Sequence, residues 1–148
     1  MVLSGDKADL IRARMAQSPF CTFLGPELLE VGEGRCRLRL VIRRELSRTV
    51  GGAHGGVLAA LADLALAISL VSLYDSQEIE GGAGGSTMYL SISYLTPAVG
   101  DEVYAEGRIL RKGGSTATAE VDITDGQGVL VAKALGTIMQ RSARGRRK

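Results

Sequence analysis

One long apolar segment limits the folds that this chain can adopt. Between Val57 and Leu73, Asp63, Ser69 and Ser72 are the only polar residues. A helix that is apolar on every side must be buried on every side. The segment is shorter than the roughly 20 apolar residues that span a bilayer. It therefore predicts a buried central helix, and we expect no membrane contact.

The rest of the chain predicts strands that could surround this helix. A short helix containing Leu10, Ile11 and Met15 should end at Pro19, and a hairpin should follow over LLEVGEGRCRLRLVI. After the apolar helix, GGAGGS is too rich in glycine for regular structure. Four strands in a meander are then expected: STMYLSISYL, VYAEGRILRK, TATAEVDITD and VLVAKALGTIMQ. We predict one α+β domain over residues 1–140, with an antiparallel sheet of about six strands curled around the helix.

The charge distribution argues against nucleic acid as a partner. The formal net charge is +2, but residues 141–148, RSARGRRK, hold five of the 18 cations and no acid. Without them, 13 cations face 16 acids, a balance of −3. Such a body lacks the basic face that binds nucleic acid. We expect the basic tail to be disordered and solvated, with contact to a polyphosphate ligand as the alternative.

Cysteine and histidine usage limits the location and the chemistry. Cys21 and Cys36 form no CxxC pair, and charged residues precede any apolar run that could act as a signal peptide, so we expect a cytoplasmic protein. One histidine and two separated cysteines supply too few ligands for zinc, and we expect no metal and no cofactor. GxSxG and GxxxxGK motifs are absent, which argues against covalent serine catalysis and mononucleotide binding.

The stretch GGAHGG at the start of the apolar helix is a candidate anion-binding element. The N–H groups of the first helical turn have no intrahelical acceptor, and the helix dipole adds partial positive charge there. Gly55 and Gly56 could therefore stabilise a carbonyl oxygen that becomes negative during a reaction. The alternative is a tight strand-to-helix turn that binds no ligand.

Asp63 is the second candidate, because a buried carboxylate without a partner is costly. No residue three or four positions away on the helix is a cation. Either a group from another strand satisfies Asp63, or the residue belongs to a reactive site. Gly55 lies eight residues earlier, about 12 Å along the helix, so the two residues cannot reach one carbonyl within one chain. A shared reaction would need a two-fold homodimer with two composite sites.

Two segments of the sequence resemble a known family. LSRTVGGAHGGVLAALADLALA and STMYLSISYLTPAVGDEVYAEGRILRKG resemble the hotdog-fold acyl-CoA thioesterases of the phenylacetate-degradation type. HGG with an acid at this spacing, YLTPA and the GDE turn carry the resemblance, which covers nearly the whole chain except the basic tail. The resemblance implies a hotdog fold, an acyl-CoA substrate, a homodimer as the smallest active unit and a homotetramer as the expected assembly.

The resemblance also implies roles for individual residues. The Gly55 N–H would polarise the thioester carbonyl, and Asp63 of the partner subunit would act as general base on water or as nucleophile. His54 would order the helix entrance and contact the carbonyl. Thr87 would help to place the water, or Ser86 would if the register differs by one residue.

Three basic residues are further candidates for substrate binding. Arg48 stands where the family often has an amide, and it could bind a substrate carboxylate, pair with Asp63 or face solvent. Arg111 and Lys112, in the RKGGS turn, are expected near the phosphates of coenzyme A; a solvated hairpin is the alternative.

The expected reaction is hydrolysis of a small or medium acyl-CoA, aryl-acyl groups included, to a carboxylic acid and free coenzyme A. A hotdog hydratase or dehydratase is one alternative, since His54 and Asp63 could form a proton-transfer pair. A non-catalytic acyl-CoA binding protein is the other.

Overall fold

The computed structural model describes residues 5–143. The helices and strands in this range are α1 (Gly5–Gln17), α2 (Pro19–Leu24), β1 (Glu27–Gly32), β2 (Arg35–Val41), α3 (Gly55–Val71), α4 (Ser76–Glu80), β3 (Gly84–Tyr94), β4 (Glu102–Lys112), β5 (Thr116–Asp125) and β6 (Leu130–Arg141). A single 3-10 turn, Arg44–Leu46, precedes α3 in the described range.

The six strands form one antiparallel sheet with the order β1-β2-β4-β5-β6-β3. This is the α+β architecture that the sequence predicts, a six-stranded sheet packed on one long helix. The predicted four-strand meander is wrong, because β3 crosses the sheet and pairs with β6 at the far edge, and only β4, β5 and β6 follow one another. Alternating burial identifies a strand but does not specify its neighbour.

Helix α3 lies in the core and contacts strands β2 to β6. Nine of its 17 residues are buried, and the buried polar groups have partners. The Ser72 hydroxyl donates to the Ser69 carbonyl at 2.8 Å and accepts from the Gly34 N–H at 2.9 Å. The Cys36 thiol donates to the Ala65 carbonyl at 3.3 Å, and burial raises the pKa of this thiol to about 11. The thiol therefore stays protonated at neutral pH and is part of the core.

Glycines in the sheet let the backbone of α3 come close. A Cβ at Gly107 on β4 would lie 2.6 Å from Ser69 Oγ and 2.7 Å from the Ala65 carbonyl oxygen. A Cβ at Gly136 on β6 would lie 2.5 Å from Leu66 Cδ1. At Gly107 the contact involves the backbone of α3, so this glycine lets the helix pack closely on β4.

Several predicted boundaries differ from the structure. Pro19 follows the end of α1 and begins a second helix, α2, which is capped by the Ser18 side chain. Proline is tolerated in the first turn because the N–H groups there have no acceptor within the helix. The segment GGAGGS is not irregular throughout, since β3 already begins at Gly84. Helix α4 was not predicted; Asp75 and Glu78 form a capping box that supports it.

Strand β6 ends at Arg141, the first residue of the predicted basic tail, and residues 144–148 of that tail lie outside the described range. Within residues 5–143, no helix has the length and apolar character needed to cross a membrane.

Candidate active site

The entrance of α3 is built around His54, which is the N-cap residue of the helix. Its Nδ1 accepts a hydrogen bond from the Gly56 N–H at 2.9 Å, and its own backbone N–H donates to the Leu46 carbonyl at 2.9 Å. An imidazole that accepts at Nδ1 is neutral with its proton on Nε2. His54 therefore caps the entrance of α3 through its Nδ1 and leaves Nε2 outside this hydrogen bond.

The peptide between Gly55 and Gly56 is held from both sides. The Tyr94 hydroxyl donates to the Gly55 carbonyl at 2.9 Å, while His54 accepts from the Gly56 N–H. A Cβ at Gly55 would lie 3.4 Å from the Tyr94 ring, so the ring packs directly on this turn. The prediction that the N–H groups of Gly55 and Gly56 both face a ligand is wrong for Gly56. Gly55 is the first helical residue, and its N–H has no acceptor within the helix.

Asp63 is half-buried on α3 and has a partner on β3. The Thr87 hydroxyl donates to Asp63 Oδ1 at 2.6 Å. Within residues 5–143, Oδ2 makes no hydrogen bond and no cation pairs with the carboxylate. A hydroxyl therefore fixes one oxygen of Asp63 and leaves the other available.

The register of β3 determines which of Thr87 and Ser86 contacts Asp63. A Cβ at Gly85 would approach Leu70 of α3, so Gly85 and Thr87 face the helix while the exposed Ser86 points to the opposite side. A bulge between Thr87 and Tyr89 then interrupts the strand. The structure thus brings Thr87 to Asp63 and leaves Ser86 away from it.

Arg48 braces the loop that leads into α3. Its Nε donates to the Gly51 carbonyl at 3.0 Å, and its backbone N–H donates to the Gly52 carbonyl at 2.9 Å. Gly51 and Gly52 have φ angles of +84° and +75°, values that favour glycine. Of the three roles considered for Arg48, pairing with Asp63 is not seen within one chain, because the Arg48 side chain contacts its own loop.

Arg111 and Lys112 lie exposed at the end of β4. Lys112 Nζ lies 5.1 Å from the centre of the Tyr74 ring, and the Tyr74 hydroxyl donates to Gln140 on β6. The two cations therefore mark the end of the sheet at which β6 finishes and β3 begins. They contact neither Asp63 nor the entrance of α3.

A groove of about 290 Å³ opens beside the entrance of α3. One wall of the groove is formed by α2, with Phe20 and Phe23. The other wall is the start of α3, with His54, Gly56 and Val57. Among residues 5–143, no group of three His, Cys, Asp or Glu side chains lies close enough together to bind a metal ion.

Sequence reasoning missed Tyr94 and the phenylalanines of α2. Tyr94 belongs to the strand predicted over STMYLSISYL, and nothing in that pattern marks it as a site residue. Its link to Gly55 spans 39 positions and depends on where β3 lies in the sheet. The exposed aromatic pair in PFCTFL was the available signal for α2.

Comparison with known proteins identifies the family. Residues 50–132, more than half of the chain, match the thioesterase superfamily. Human acyl-coenzyme A thioesterase 13 is 27% identical over 84% of this chain and 87% of its own length.

Two solved structures are similar in sequence and fold. A hypothetical thioesterase protein of Streptococcus pneumoniae, solved with coenzyme A, is 27% identical with a TM-score of 0.70, over 81% of this chain and 88% of that one. A mutant of the phenylacetic acid degradation protein PaaI of Thermus thermophilus is 26% identical with a TM-score of 0.71, over 84% of this chain and 100% of that one. The chain belongs to the thioesterase superfamily and is a thioester hydrolase.

Proposed function

We propose that this chain hydrolyses acyl-CoA thioesters to a carboxylic acid and free coenzyme A, at a site formed by two copies of the chain. The hydrogen bond from Thr87 to Asp63 carries the proposal, because it holds a carboxylate with one free oxygen on the helix whose entrance offers the Gly55 N–H. The substrate class is supported by the human acyl-coenzyme A thioesterase and by the coenzyme A in the streptococcal structure.

The entrance of α3 stabilises the thioester carbonyl. The carbonyl oxygen accepts from the Gly55 N–H, and the helix dipole favours the negative charge that develops on it. Loss of one such donor costs about 2.7 to 4 kcal/mol of transition-state stabilisation in characterised enzymes. Tyr94 and His54 hold the neighbouring peptide, so the donor is oriented before the substrate arrives.

Asp63 of the partner subunit activates the water. Its Oδ2 takes a proton from water as the water oxygen bonds to the carbonyl carbon, and Thr87 keeps Oδ1 in place. The tetrahedral intermediate then collapses with cleavage of the C–S bond, and the sulfur leaves with the proton as the thiol of coenzyme A. Direct attack by Asp63 on the carbonyl is the alternative. Transfer of ¹⁸O from labelled water into Asp63 in a single turnover would identify it.

The homodimer is supported by the free edge of β3. This strand has 11 residues and ends the sheet, and Met88 and Tyr89 on it are 63% and 58% exposed. An exposed edge strand presents unpaired N–H and C=O groups on which another chain can pair. Antiparallel pairing of β3 with β3 of a second copy would place two α3 helices side by side, with Gly55 of one near Asp63 of the other. Two such dimers form the homotetramer that we expect.

Other features of the proposal concern partners and location. The exposed Arg111 and Lys112 bind phosphate groups of coenzyme A at the end of the sheet. We propose no further cofactor, no metal and neither nucleic acid nor membrane as a partner. A cytoplasmic location is supported by the free thiols of Cys21 and Cys36.

The decisive test compares the wild type with Asp63→Asn on a panel of acyl-CoA thioesters. We expect thiol release by the wild type and a roughly 10²- to 10⁴-fold lower kcat in the variant, because the general base is lost. Acyl-CoA should raise the Tm of both proteins, since the binding surface is kept. A wild type that binds acyl-CoA without releasing thiol is a binding protein. Loss of enoyl absorbance without thiol release would establish the hydratase instead.

A further inference from the structure

The groove beside the entrance of α3 has an aromatic wall. The chain contains two phenylalanines, Phe20 and Phe23, and both lie in α2 on this wall. They are 55% and 57% exposed, whereas Leu24 of the same helix is 1% exposed and anchors α2 to the core. Residues three positions apart lie on the same face of a helix, so the two rings form one surface.

The wall is held in place by Arg43. Its guanidinium donates to the carbonyls of Phe23 and Leu24 and lies 5.2 Å from the centre of the Phe23 ring. Its Nε also lies 3.7 Å from Glu45 Oε2. The charged groups at this wall are therefore engaged with each other and with backbone, and the remaining lining is mostly aliphatic: Leu24, Leu46, Val57 and Ala60.

The groove shares His54 and Gly56 with the entrance of α3. Gly55 lies between these two lining residues in the sequence, so a thioester carbonyl bound to its N–H would be next to the groove and one of its two substituents could enter it. Coenzyme A is polar and carries phosphates, whereas the groove is apolar. The acyl group is thus the substituent that fits this surface.

We propose that the groove binds the acyl group and that Phe20, with Phe23, makes the enzyme prefer uncharged acyl groups with an aromatic ring or a medium-length alkyl chain. This inference rests on the proposed acyl-CoA hydrolysis. A volume of about 290 Å³ is at the lower end of the range for ligand pockets, so the groove accommodates part of a ligand. Ring stacking on Phe20 and Phe23 adds to the burial of apolar surface.

The test measures kcat/KM for thiol release from phenylacetyl-CoA, octanoyl-CoA, hexadecanoyl-CoA and acetyl-CoA. The wild type should prefer the first two substrates. Phe20→Ala should lower kcat/KM for phenylacetyl-CoA relative to acetyl-CoA by about tenfold or more, since loss of one methylene contact already changes selectivity by roughly 10- to 200-fold. The ratio of kcat/KM for phenylacetyl-CoA to that for acetyl-CoA in Phe20→Leu should fall between the ratios of the wild type and Phe20→Ala. Leu135→Ala removes an exposed apolar side chain from the outer face of the sheet and should leave the ratio unchanged.

Other outcomes would overturn the inference. An unchanged ratio in folded Phe20→Ala and in the Phe20→Ala/Phe23→Ala double variant would show that the acyl group lies elsewhere. Preference of the wild type for hexadecanoyl-CoA would also contradict it. In both cases the acyl-CoA thioesterase proposal stands. If the wild type releases thiol from none of the substrates, the proposed function fails and this inference fails with it.

Discussion

The role that we propose for Asp63 depends on a single hydrogen bond. The Thr87 hydroxyl fixes Oδ1 at 2.6 Å, and the surrounding helix surface is apolar. A carboxylate fixed in this way presents Oδ2 in one orientation, which reduces the cost of reaching the reactive geometry. In the proposed mechanism, Thr87 is a positioning residue that acts through Asp63.

Thr87→Val tests this role, because valine has the shape of threonine without the hydroxyl. We expect kcat to fall about tenfold or more with little change in KM, since a hydrogen bond to a charged group contributes about 1.5 to 3 kcal/mol. Thr87→Ser restores a hydroxyl and should recover much of the rate. Equal loss in the valine and serine variants would mean that packing, and not the hydrogen bond, explains the effect.

The candidate site residues that the sequence singles out are those with a local signal. Asp63 stands out as a charge in an apolar helix, and Gly55 as a glycine at a helix entrance. The prediction that the Gly56 N–H faces a ligand was wrong, because the side chain of His54, the only histidine in the sequence, accepts a hydrogen bond from this N–H. Tyr94 could not be found, because its contact with Gly55 depends on the pairing of β3 with β6.

At the scale of elements, periodicity predicted the strands and α3 but not the strand order. Burial on β2 alternates as expected, with Leu38 and Leu40 buried and Arg39 paired with Glu102 at 2.7 Å. On β3 the apolar residues alternate in the sequence, but most of the strand is exposed, so the alternation does not specify its place in the sheet. The pairing with β6 brings together residues that are far apart in the sequence, such as Leu90 and Gly136. Such contacts are absent from any local pattern.

Gly107→Ala should destabilise the whole protein. The added Cβ would lie 2.6 Å from Ser69 Oγ and 2.7 Å from the Ala65 carbonyl oxygen, so α3 must shift away from β4. Overpacking of this kind costs about 1 to 3 kcal/mol in the free energy of unfolding, which urea titration would measure. Gly114→Ala is the matched control, because a Cβ there meets nothing within 4 Å. Equal stability of the two variants would contradict the close approach.

Asp125 links the β5–β6 turn to the segment after β3, and its contribution should depend on pH. Burial raises the pKa of this carboxyl, but hydrogen bonds from the N–H groups of Val129, Val99 and Gln127 outweigh burial and hold the pKa below its ordinary value of 3.8. A lowered folded-state pKa means that this stability is present above the unfolded-state pKa and is lost as pH falls through the folded-state pKa.

Asp125→Asn should therefore lower the Tm at pH 7 and weaken the decline of Tm with acid below about pH 4. Melting curves from about pH 7 to about pH 2 for the wild type and the variant would measure this. Parallel curves for the two proteins would show that the Asp125 carboxylate does not contribute in this way.

For the protein as a whole, the proposed reaction requires two chains. Gly55 and Asp63 lie about 12 Å apart along one helix, which is too far for both to act on one carbonyl. The free edge of β3 supplies the surface on which a second copy can pair. The sequence alone predicts the need for a second chain, because helix geometry fixes this separation. The edge on which we propose that the second chain pairs follows only from the strand order.

Complementation between two inactive variants tests the shared site most directly. Asp63→Asn removes the base, and Gly55→Pro removes the N–H at the first helical position, where proline is tolerated and His54 already has an extended backbone. Each homodimer should be inactive. In an equal mixture that is unfolded and refolded together, half of the dimers are mixed and each holds one intact site, so thiol release should recover to about a quarter of the wild-type rate. A refolded mixture that contains mixed dimers and stays inactive would contradict the shared site.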